Sequence, residues 1–274
     1  LSNIGYLNNQ HAHTQDFVDT PLAYQALLGG AFADDGLRLE WLAPTDQFFR
    51  LGLELGRGRG FPGDGGARNG AGSVALTAHT GGDLGDSHSW RAGLSVLQAK
   101  ADGLALVGEA AAGGPLDSTF AGRTRVWVAD AVWKWSPGGN ATRTSFKLQG
   151  EWLRSRRSGE LTVDPSGAAV ADAYRADTTG WYVQGVWQFQ AGWRVGARTE
   201  RVDAGTPAPG ANTGTYALAD GAARRNSLML DWSPSEFSRW RVQFADDRSR
   251  PGAADRQWVL QYQMSLGAHG AHGF

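Results

Sequence analysis

Two histidines and two aspartates near the start of the chain have the spacing of a candidate metal site. His11 and His13 are two residues apart, and Asp16 and Asp19 follow closely. Imidazole nitrogens and carboxylate oxygens bind zinc and copper, and two histidines in a loop can converge on one ion. The alternative is a polar loop that happens to contain two histidines, because no third close nitrogen ligand is evident. The sequence thus offers His11 and His13 as candidate metal ligands and calls for no cofactor.

Hydrolytic chemistry has only a weak candidate, at Asp86, His88 and Ser89. His88 and Ser89 are adjacent, so in an extended strand their side chains point to opposite faces and cannot share a proton. Asp86 and His88 have the spacing of a pair, but they lie in or beside a predicted short turn. The glycine-rich stretch 57–72 matches no phosphate-binding loop or dinucleotide fingerprint. We therefore expect no enzymatic activity.

The composition excludes several other classes of protein. The 274 residues include no cysteine, so there is no disulfide framework and no thiolate metal site. With 26 basic and 27 acidic residues, the chain has no bulk charge that would recruit nucleic acid. No stretch approaches about 18 consecutive apolar residues, so no transmembrane helix is expected.

The dominant pattern is an alternation of apolar and polar residues. In the last clear segment, Trp258, Leu260 and Tyr262 alternate with Gln257 and Gln261. Successive side chains of a strand point to opposite faces, so each segment has one apolar and one polar face. The pattern recurs in segments 34–43, 49–56, 73–81, 88–100, 123–135, 146–152, 181–189, 193–198, 228–232 and 240–244. This predicts eleven strands, preceded by a short strand stub at residues 1–7.

The connections between these strands alternate between short and long. Short ones carry turn residues and lie at 43–47, 82–87, 136–141, 190–192 and 233–237. Long ones, rich in Gly, Ala, Asp and Pro, lie at about 8–33, 57–72, 100–122, 157–178, 203–223 and 248–254. Short periplasmic turns alternating with long outer loops are typical of transmembrane barrels. We therefore predict a single all-β domain over residues 1–274, a transmembrane antiparallel up-and-down β-barrel.

The strand total has two interpretations. Eleven strands and the stub at residues 1–7 favour closure at about twelve strands, with the N-terminal strand incomplete. The alternative is the C-terminal part of a larger barrel of about 14–16 strands. In either case the chain would cross the membrane many times.

Tryptophans concentrate near the ends of the predicted strands. Indole rings prefer the membrane–water interface, where the ring meets acyl chains and the N–H meets water. Their positions predict two aromatic girdles, formed by Trp41, Trp133, Trp135, Trp152, Trp181, Trp193, Trp232, Trp240 and Trp258. The alternative, that these rings fill a soluble core, does not require aromatic residues at both ends of the strands.

The end of the chain resembles the C-terminal signature of Gram-negative outer-membrane proteins. The last strand is amphipathic, and Phe274 is the final residue with the same parity as Trp258, Leu260 and Tyr262. In that family the signature is read by the barrel-assembly machinery. The whole chain also resembles bacterial porins, nearer to porin O/P-like channels than to trimeric ones. The resemblance implies a multi-pass protein of the Gram-negative outer membrane, in contact with its lipid.

The resemblance further implies a channel for passive diffusion of small hydrophilic solutes. The parity of the strands predicts a lumen lined by Arg38, Glu40, Arg50, Glu54, Arg91, Lys134, Lys147, Glu151, Arg194, Arg198, Asp231, Arg239 and Arg241. A slight basic excess would favour anions, although neighbouring charges can instead pair with one another. The alternative function is a barrel that binds or takes up a metal ion or macromolecule through its long loops.

The first long connection contains an apolar run at residues 21–28 that is able to form a helix and is followed by Gly29 and Gly30. An apolar loop segment needs a surface on which to pack. It could fold into the pore as a constriction, or pack across the barrel mouth or against another chain.

Overall fold

A computed structural model describes residues 2–64, 70–111, 113–164, 167, 169–215, 221–250 and 252–265. They form one antiparallel sheet in which eleven strands pair in chain order, which confirms the predicted all-β antiparallel class. The strands are β1 Gly36–Leu42, β2 Phe48–Gly56, β3 Ser73–Leu84, β4 His88–Glu109, β5 Pro115–Trp135, β6 Ser145–Val163, β7 Val170–Gln190, β8 Trp193–Asp203, β9 Ala223–Ser235, β10 Ser238–Arg248 and β11 Asp255–Met264. The α-helix among these residues is α1, Leu22–Leu28.

The sheet has two chemically different faces. In the register of β1 to β4, Leu39 is opposite Leu53, Leu53 opposite Leu76, and Leu76 opposite Val96. The residues between them in sequence lie on the other face, where residues 2–33 pack. We call residues 2–33 the N-terminal segment, the face that it covers the inner face, and the opposite face the outer face.

The N-terminal segment does not contain the expected strand stub. The backbone N–H of Asn3 donates to Glu54 at 2.8 Å and that of Leu7 donates to Glu151 at 2.8 Å, so side chains of the sheet replace a neighbouring strand. Between them Gly5 has φ +70°, and a Cβ there would lie 2.3 Å from a Glu151 oxygen. The prediction of a strand at residues 1–7 is therefore wrong over residues 2–7.

The main hydrophobic core lies between the N-terminal segment and the inner face. Ile4, Leu27 and Phe32 are buried there, together with Val128 and Leu153 from the sheet. Helix α1 approaches the sheet closely at Gly180, where a Cβ would lie 2.9 Å from that of Ala23. The apolar run at 21–28 thus forms a helix that is packed against the inner face.

Two predicted long loops are largely strand. The segments 100–122 and 157–178 belong mostly to β4, β5, β6 and β7, whose hairpins extend beyond the rest of the sheet. Phe120, Leu161 and Val163 are buried in a second apolar cluster within these extensions. The glycine and alanine content of these stretches concealed the strands, because the stability comes from this cross-strand cluster and not from local propensity.

The sheet curls around the N-terminal segment, since the segment contacts both edge strands. The amide of Asn3 donates to Glu40 of β1, and Gln263 of β11 donates to the carbonyl of His13 at 3.0 Å. Within the described ranges, no hydrogen-bonded pairing joins β1 to β11, so the expected closure at about twelve strands is not present. In the part of the chain that the structure describes, no helix is long and apolar enough to cross a membrane.

Candidate functional site on the inner face of the sheet

The residues predicted to line a lumen share the inner face. The strand register puts Arg38, Glu40, Arg50, Glu54, Arg91, Lys134, Lys147, Glu151, Arg194, Arg198, Asp231, Arg239 and Arg241 on that side of the sheet. Those in the middle of the sheet are buried under the N-terminal segment, whereas Arg38 and Glu40 on the edge strand β1 remain partly exposed. Most of these charges have opposite charges as neighbours, as the pairing alternative anticipated.

Asp231 of β9 is the centre of a cluster of arginines from the two flanking strands, β8 and β10. Its carboxylate lies 2.8 Å from Arg194 Nη2, 3.1 Å from Arg241 Nη2 and 3.6 Å from Arg239 Nε. Asp231 is fully buried, so three guanidinium groups surround one desolvated carboxylate. The excess positive charge is directed towards the N-terminal segment, where Arg239 and Arg241 donate to the carbonyls of His13 and Gln15.

Asp19 anchors the N-terminal segment to β8 and β9. Its two oxygens lie 2.8 Å from Arg198 Nη2 and 2.8 Å from Arg225 Nη2, and Gln243 donates to it at 2.6 Å. Burial opposes the ionisation of Asp19, but the attraction of Arg198 and Arg225 outweighs it and lowers the pKa. Glu200 bridges the same arginines and also accepts from the amide of Leu22, at the start of α1.

Asp16 is a second anchor, which binds the N-terminal segment to β6 and β8. Its carboxylate lies 2.5 Å from Lys147 Nζ and 3.2 Å from Arg194 Nη1, and Gln184 donates to it at 3.1 Å. Burial raises the energy of the charged form, but Lys147 and Arg194 compensate and the pKa of Asp16 is lowered. The segment therefore depends on two ionised aspartates held by cations of the sheet.

Glu151 organises the start of the N-terminal segment. It accepts from the backbone N–H groups of Tyr6 and Leu7 and from the hydroxyls of Tyr24 and Tyr182, at 2.6–3.2 Å. No basic side chain is among these donors, so the carboxyl group is satisfied by hydrogen bonds alone. A buried acceptor with four donors fixes the conformation of the segment that supplies three of them.

A buried His–Asp pair lies on the inner face between β3 and β5. His79 Nε2 lies 3.4 Å from Asp130 Oδ2, and both side chains are fully buried. They approach across Gly93 of β4, where a Cβ would lie 2.1 Å from the His79 ring and 2.5 Å from the carboxylate. Neither ring nitrogen of His79 has a hydrogen-bond partner among the described residues.

A cationic cavity lies between the N-terminal segment and strands β2 to β6. It has a volume of about 830 Å³ and opens towards the short turns. Arg50, Arg91, Lys134 and Lys147 line it, with Asp83 as the acidic residue among the lining side chains. The guanidinium of Arg91 lies 5.6 Å from the centre of the Tyr6 ring. Cations converging on a solvated cavity raise the local concentration of small anions.

The proposed metal ligands lie together in an exposed part of the N-terminal segment. The rings of His11 and His13 are stacked, with centroids 5.5 Å apart. Asp16 and Asp19, which follow them in sequence, are instead bound to cations of the sheet. Across the described residues, no group of three His, Cys, Asp or Glu side chains is placed to hold a metal ion.

The predicted girdle tryptophans are on the outer face. They are Trp41, Trp133, Trp135, Trp152, Trp181, Trp193, Trp232, Trp240 and Trp258. Near the short turns the register aligns Trp193, Trp232, Trp240 and Tyr262 in one row across four strands, with Trp193 and Trp232 stacked at 5.6 Å. Trp152 and Trp181 are partners nearer to the long hairpins. Phe274, predicted as an assembly signal, lies outside the described residues.

Sequence reasoning missed the residues that hold the N-terminal segment in place. Asp16 and Asp19 are visible in the sequence but have the composition of any polar loop, and Gln184, Glu200 and Arg225 give no signal of a common partner. The apolar run at 21–28 was the usable signal, since it required a surface to cover it.

Comparison with known proteins assigns the chain to no family and gives it no function. No protein-family model matches the chain. It is 27% identical, over an alignment of 289 residues, to a protein of Aquifex aeolicus (strain VF5) described as uncharacterized. That alignment covers all of this chain and 58% of the Aquifex protein, so the chain spans less than two thirds of the length of this relative.

Proposed function

We propose that the chain is the wall of a transmembrane β-barrel in a Gram-negative outer membrane, a porin-like channel for passive diffusion of small hydrophilic solutes. The observation that carries the proposal is the contrast between the two faces of the sheet. Leu39, Leu94, Trp258 and Leu260 on the outer face are 65–74% exposed. Exposed large apolar side chains occur on this face of every strand except β5, whose outward tryptophans are half-buried. An apolar surface of this extent needs lipid or another apolar surface against it.

The height of the apolar band supports the membrane assignment. On β5 the outward residues run from Trp127 to Trp135 before Arg125 begins the polar part of the strand. Eight residue steps of about 3.4 Å in a strand tilted by about 40° give roughly 21 Å, close to the ~25 Å band of outer-membrane barrels. Rows of tryptophan near both limits of the band fit the interface preference of indole.

The cationic cavity supports a preference for anions. Solutes that pass along the inner face on the side of β2 to β6 meet Arg50, Arg91, Lys134 and Lys147. The remaining charges of the inner face are engaged in holding the N-terminal segment and in pairs with one another. We assign the selectivity to the cavity because its lining has the largest local imbalance of charge.

The proposal has consequences for partners and closure. The chain would contact outer-membrane lipid and would be inserted by the barrel-assembly machinery. A channel wall in a membrane has no free edges, so β1 and β11 would each be paired there. It assigns no catalytic reaction to the chain.

The second candidate is a barrel that binds or takes up a metal ion or macromolecule through its long extracellular loops. One observation favours it: the N-terminal segment fills much of the inner face and is held by two anchored aspartates. The extended hairpins of β4–β5 and β6–β7 would then be the recognition surface.

Conductance in a planar lipid bilayer separates the two candidates. The channel predicts discrete, lasting conductance steps from the purified chain and a reversal potential that favours chloride over potassium in a KCl gradient. A barrel used for recognition predicts stable insertion without such steps. Insertion without conductance would therefore refute the channel, and failure to associate with lipid at all would refute the membrane assignment.

The source of the selectivity is tested by a matched pair of variants. Lys134→Gln removes a cation of the cavity, and we expect a lower chloride-to-potassium permeability ratio. Lys100→Gln makes the same change on the outer face of β4, where the side chain is exposed, and should leave the ratio unchanged. Equal effects of the two variants would show that the cavity does not set the selectivity.

A further inference from the structure

The outer face has a groove that crosses strands β1 to β6. Its volume is about 970 Å³, at the upper end of the ~300–1,000 Å³ typical of small-molecule sites. Leu39, Leu53, Leu76 and Trp127 line one row across it, and Trp152 belongs to the neighbouring row. The outer-face side chains that line it are apolar except at one end.

That end of the groove carries arginines. Arg154 and Arg156 of β6 line the groove and share a single carboxylate, Asp177 of β7, at 3.1 and 3.0 Å. Both arginine side chains remain 42–46% exposed. Arg125, opposite Arg156 in the register, lies over the ring of Trp127 at 5.8 Å and donates to Gln98. Three cations with one acidic partner therefore stand at the polar limit of the apolar band.

The Nε atom of Arg154 adds an independent observation. It is buried and has no hydrogen-bond partner among the described residues. A buried guanidinium donor without an acceptor is uncommon and costs free energy, and a change of side-chain conformation that brought this N–H to an anionic oxygen would recover that cost. Arginine binds phosphate with paired, charge-assisted hydrogen bonds.

We propose that this groove binds an anionic, phosphate-bearing membrane lipid, with its acyl chains along Leu39, Leu76 and Trp152 and its phosphate at Arg154 and Arg156. The inference rests on the proposed function, because it requires the outer face to meet lipid. The two halves of the groove match the two halves of such a lipid, and the apolar lining is continuous with the band that the bilayer would cover. A zwitterionic lipid would bring an ammonium group to the arginine end.

The test compares two lipids on the purified chain in nanodiscs and by native mass spectrometry. Phosphatidylglycerol should be retained preferentially over phosphatidylcholine. The double variant Arg154→Gln/Arg156→Gln should lower phosphatidylglycerol affinity about 30-fold, as expected for two arginines that each contribute about 1 kcal/mol near a headgroup. The control is Arg248→Gln/Arg256→Gln, an outer-face pair that also shares one aspartate, Asp246, away from the groove, and it should have little effect.

A second variant tests the apolar half without touching a charge. Ala129→Trp places a large ring in the groove and should lower retention of phosphatidylglycerol in the same way. Equal loss in both arginine pairs, or no preference between the lipids, overturns the proposal while leaving insertion and conductance intact. Failure to enter nanodiscs refutes the membrane assignment itself. A dimer in detergent that Ala129→Trp dissociates, with lipid retention unchanged, would assign the groove to a second copy of the chain and would also overturn the proposal.

Discussion

The N-terminal segment should be released from the inner face when Asp19 loses its charge. Asp19→Asn removes a carboxylate that two guanidinium groups contact at 2.8 Å and to which Gln243 donates. Asparagine retains one acceptor oxygen but turns an amide donor towards groups that only donate. The segment then keeps Asp16 as its remaining charged anchor.

The size of the effect follows from what each partner retains. Arg198 and Arg225 keep their contacts with Glu200, so neither is left as an isolated buried charge. A hydrogen bond to a charged group contributes about 1.5–3 kcal/mol, and breaking a fully buried pair costs about 3–5 kcal/mol. The Asp19 side chain is 28% exposed, and solvent screening reduces these figures. We expect docking to be weakened by about 2 kcal/mol, or about 30-fold in the docking equilibrium.

The docking equilibrium can be measured by thiol labelling, because the chain has no cysteine. Leu27 is buried between α1 and the sheet, so a cysteine in its place reacts with a maleimide only when the segment leaves the inner face. The probe is the same in both backgrounds, and the ratio of labelling rates in lipid vesicles reports the change made by Asp19→Asn. We expect an increase of about 30-fold.

The matched control is Asp46→Asn, which removes an exposed aspartate in the turn between β1 and β2. It should leave the labelling rate unchanged. Labelling of the Asp19→Asn protein within about twofold of the parent would refute the view that ionised aspartates hold the segment. A similar increase in both variants would point to general destabilisation.

Three further predictions follow from the same structure. Leu260→Arg on the outer face of β11 should destabilise the folded state in lipid by about 2–4 kcal/mol. Gln257→Arg lies on the inner face, beside Asp255, and should lower the free energy of unfolding much less. Equal losses of stability in reversible unfolding would contradict the assigned faces. Because the pKa values of Asp16 and Asp19 are lowered, their contribution to docking is fully present above the ordinary pKa of an aspartate and is lost as the pH falls below it. Hydrogen exchange at residues 16–28, corrected for intrinsic rates, should therefore accelerate only at pH below about 4. Zinc affinity by titration should be unchanged in His11→Ala/His13→Ala, since both nearby aspartates are engaged by cations; a large loss of affinity would restore the metal site.

The strands and their faces could be predicted because period-two alternation is a local property. Trp258, Leu260 and Tyr262 identify the outer face of β11 from the sequence alone, and the register of the structure agrees with that parity. The extensions of β4 to β7 could not be predicted in this way. Their stability comes from contacts such as that of Phe120 with Tyr174, 54 positions apart in the sequence, whose rings are 5.9 Å apart.

The position of the N-terminal segment on the inner face could not be predicted from the sequence for a related reason. Asp19 meets Arg198 of β8 and Arg225 of β9 only after the intervening strands have been assembled, and nothing near Asp19 in the sequence indicates those partners. The apolar run at 21–28 limited the choice to a few surfaces without selecting one. Local patterns thus specify which side of the sheet is polar, and tertiary ion pairs specify what covers it.

Lys147 shows why anchoring and selectivity are not independent in this fold. Its ammonium group binds Asp16 and also lines the cationic cavity, to which Lys134 contributes a second ammonium group. Lys147→Gln removes the contact with Asp16 and should therefore lower anion selectivity and accelerate labelling at position 27. Lys134→Gln leaves that contact in place, so it should lower selectivity with a smaller effect on labelling. If both variants accelerated labelling equally, the cavity and the anchors would form one electrostatic unit, and the segment would respond to any loss of positive charge on the inner face. If neither did, the apolar contacts of α1 would be sufficient to hold the segment, and the ionised aspartates would only determine its register on the sheet.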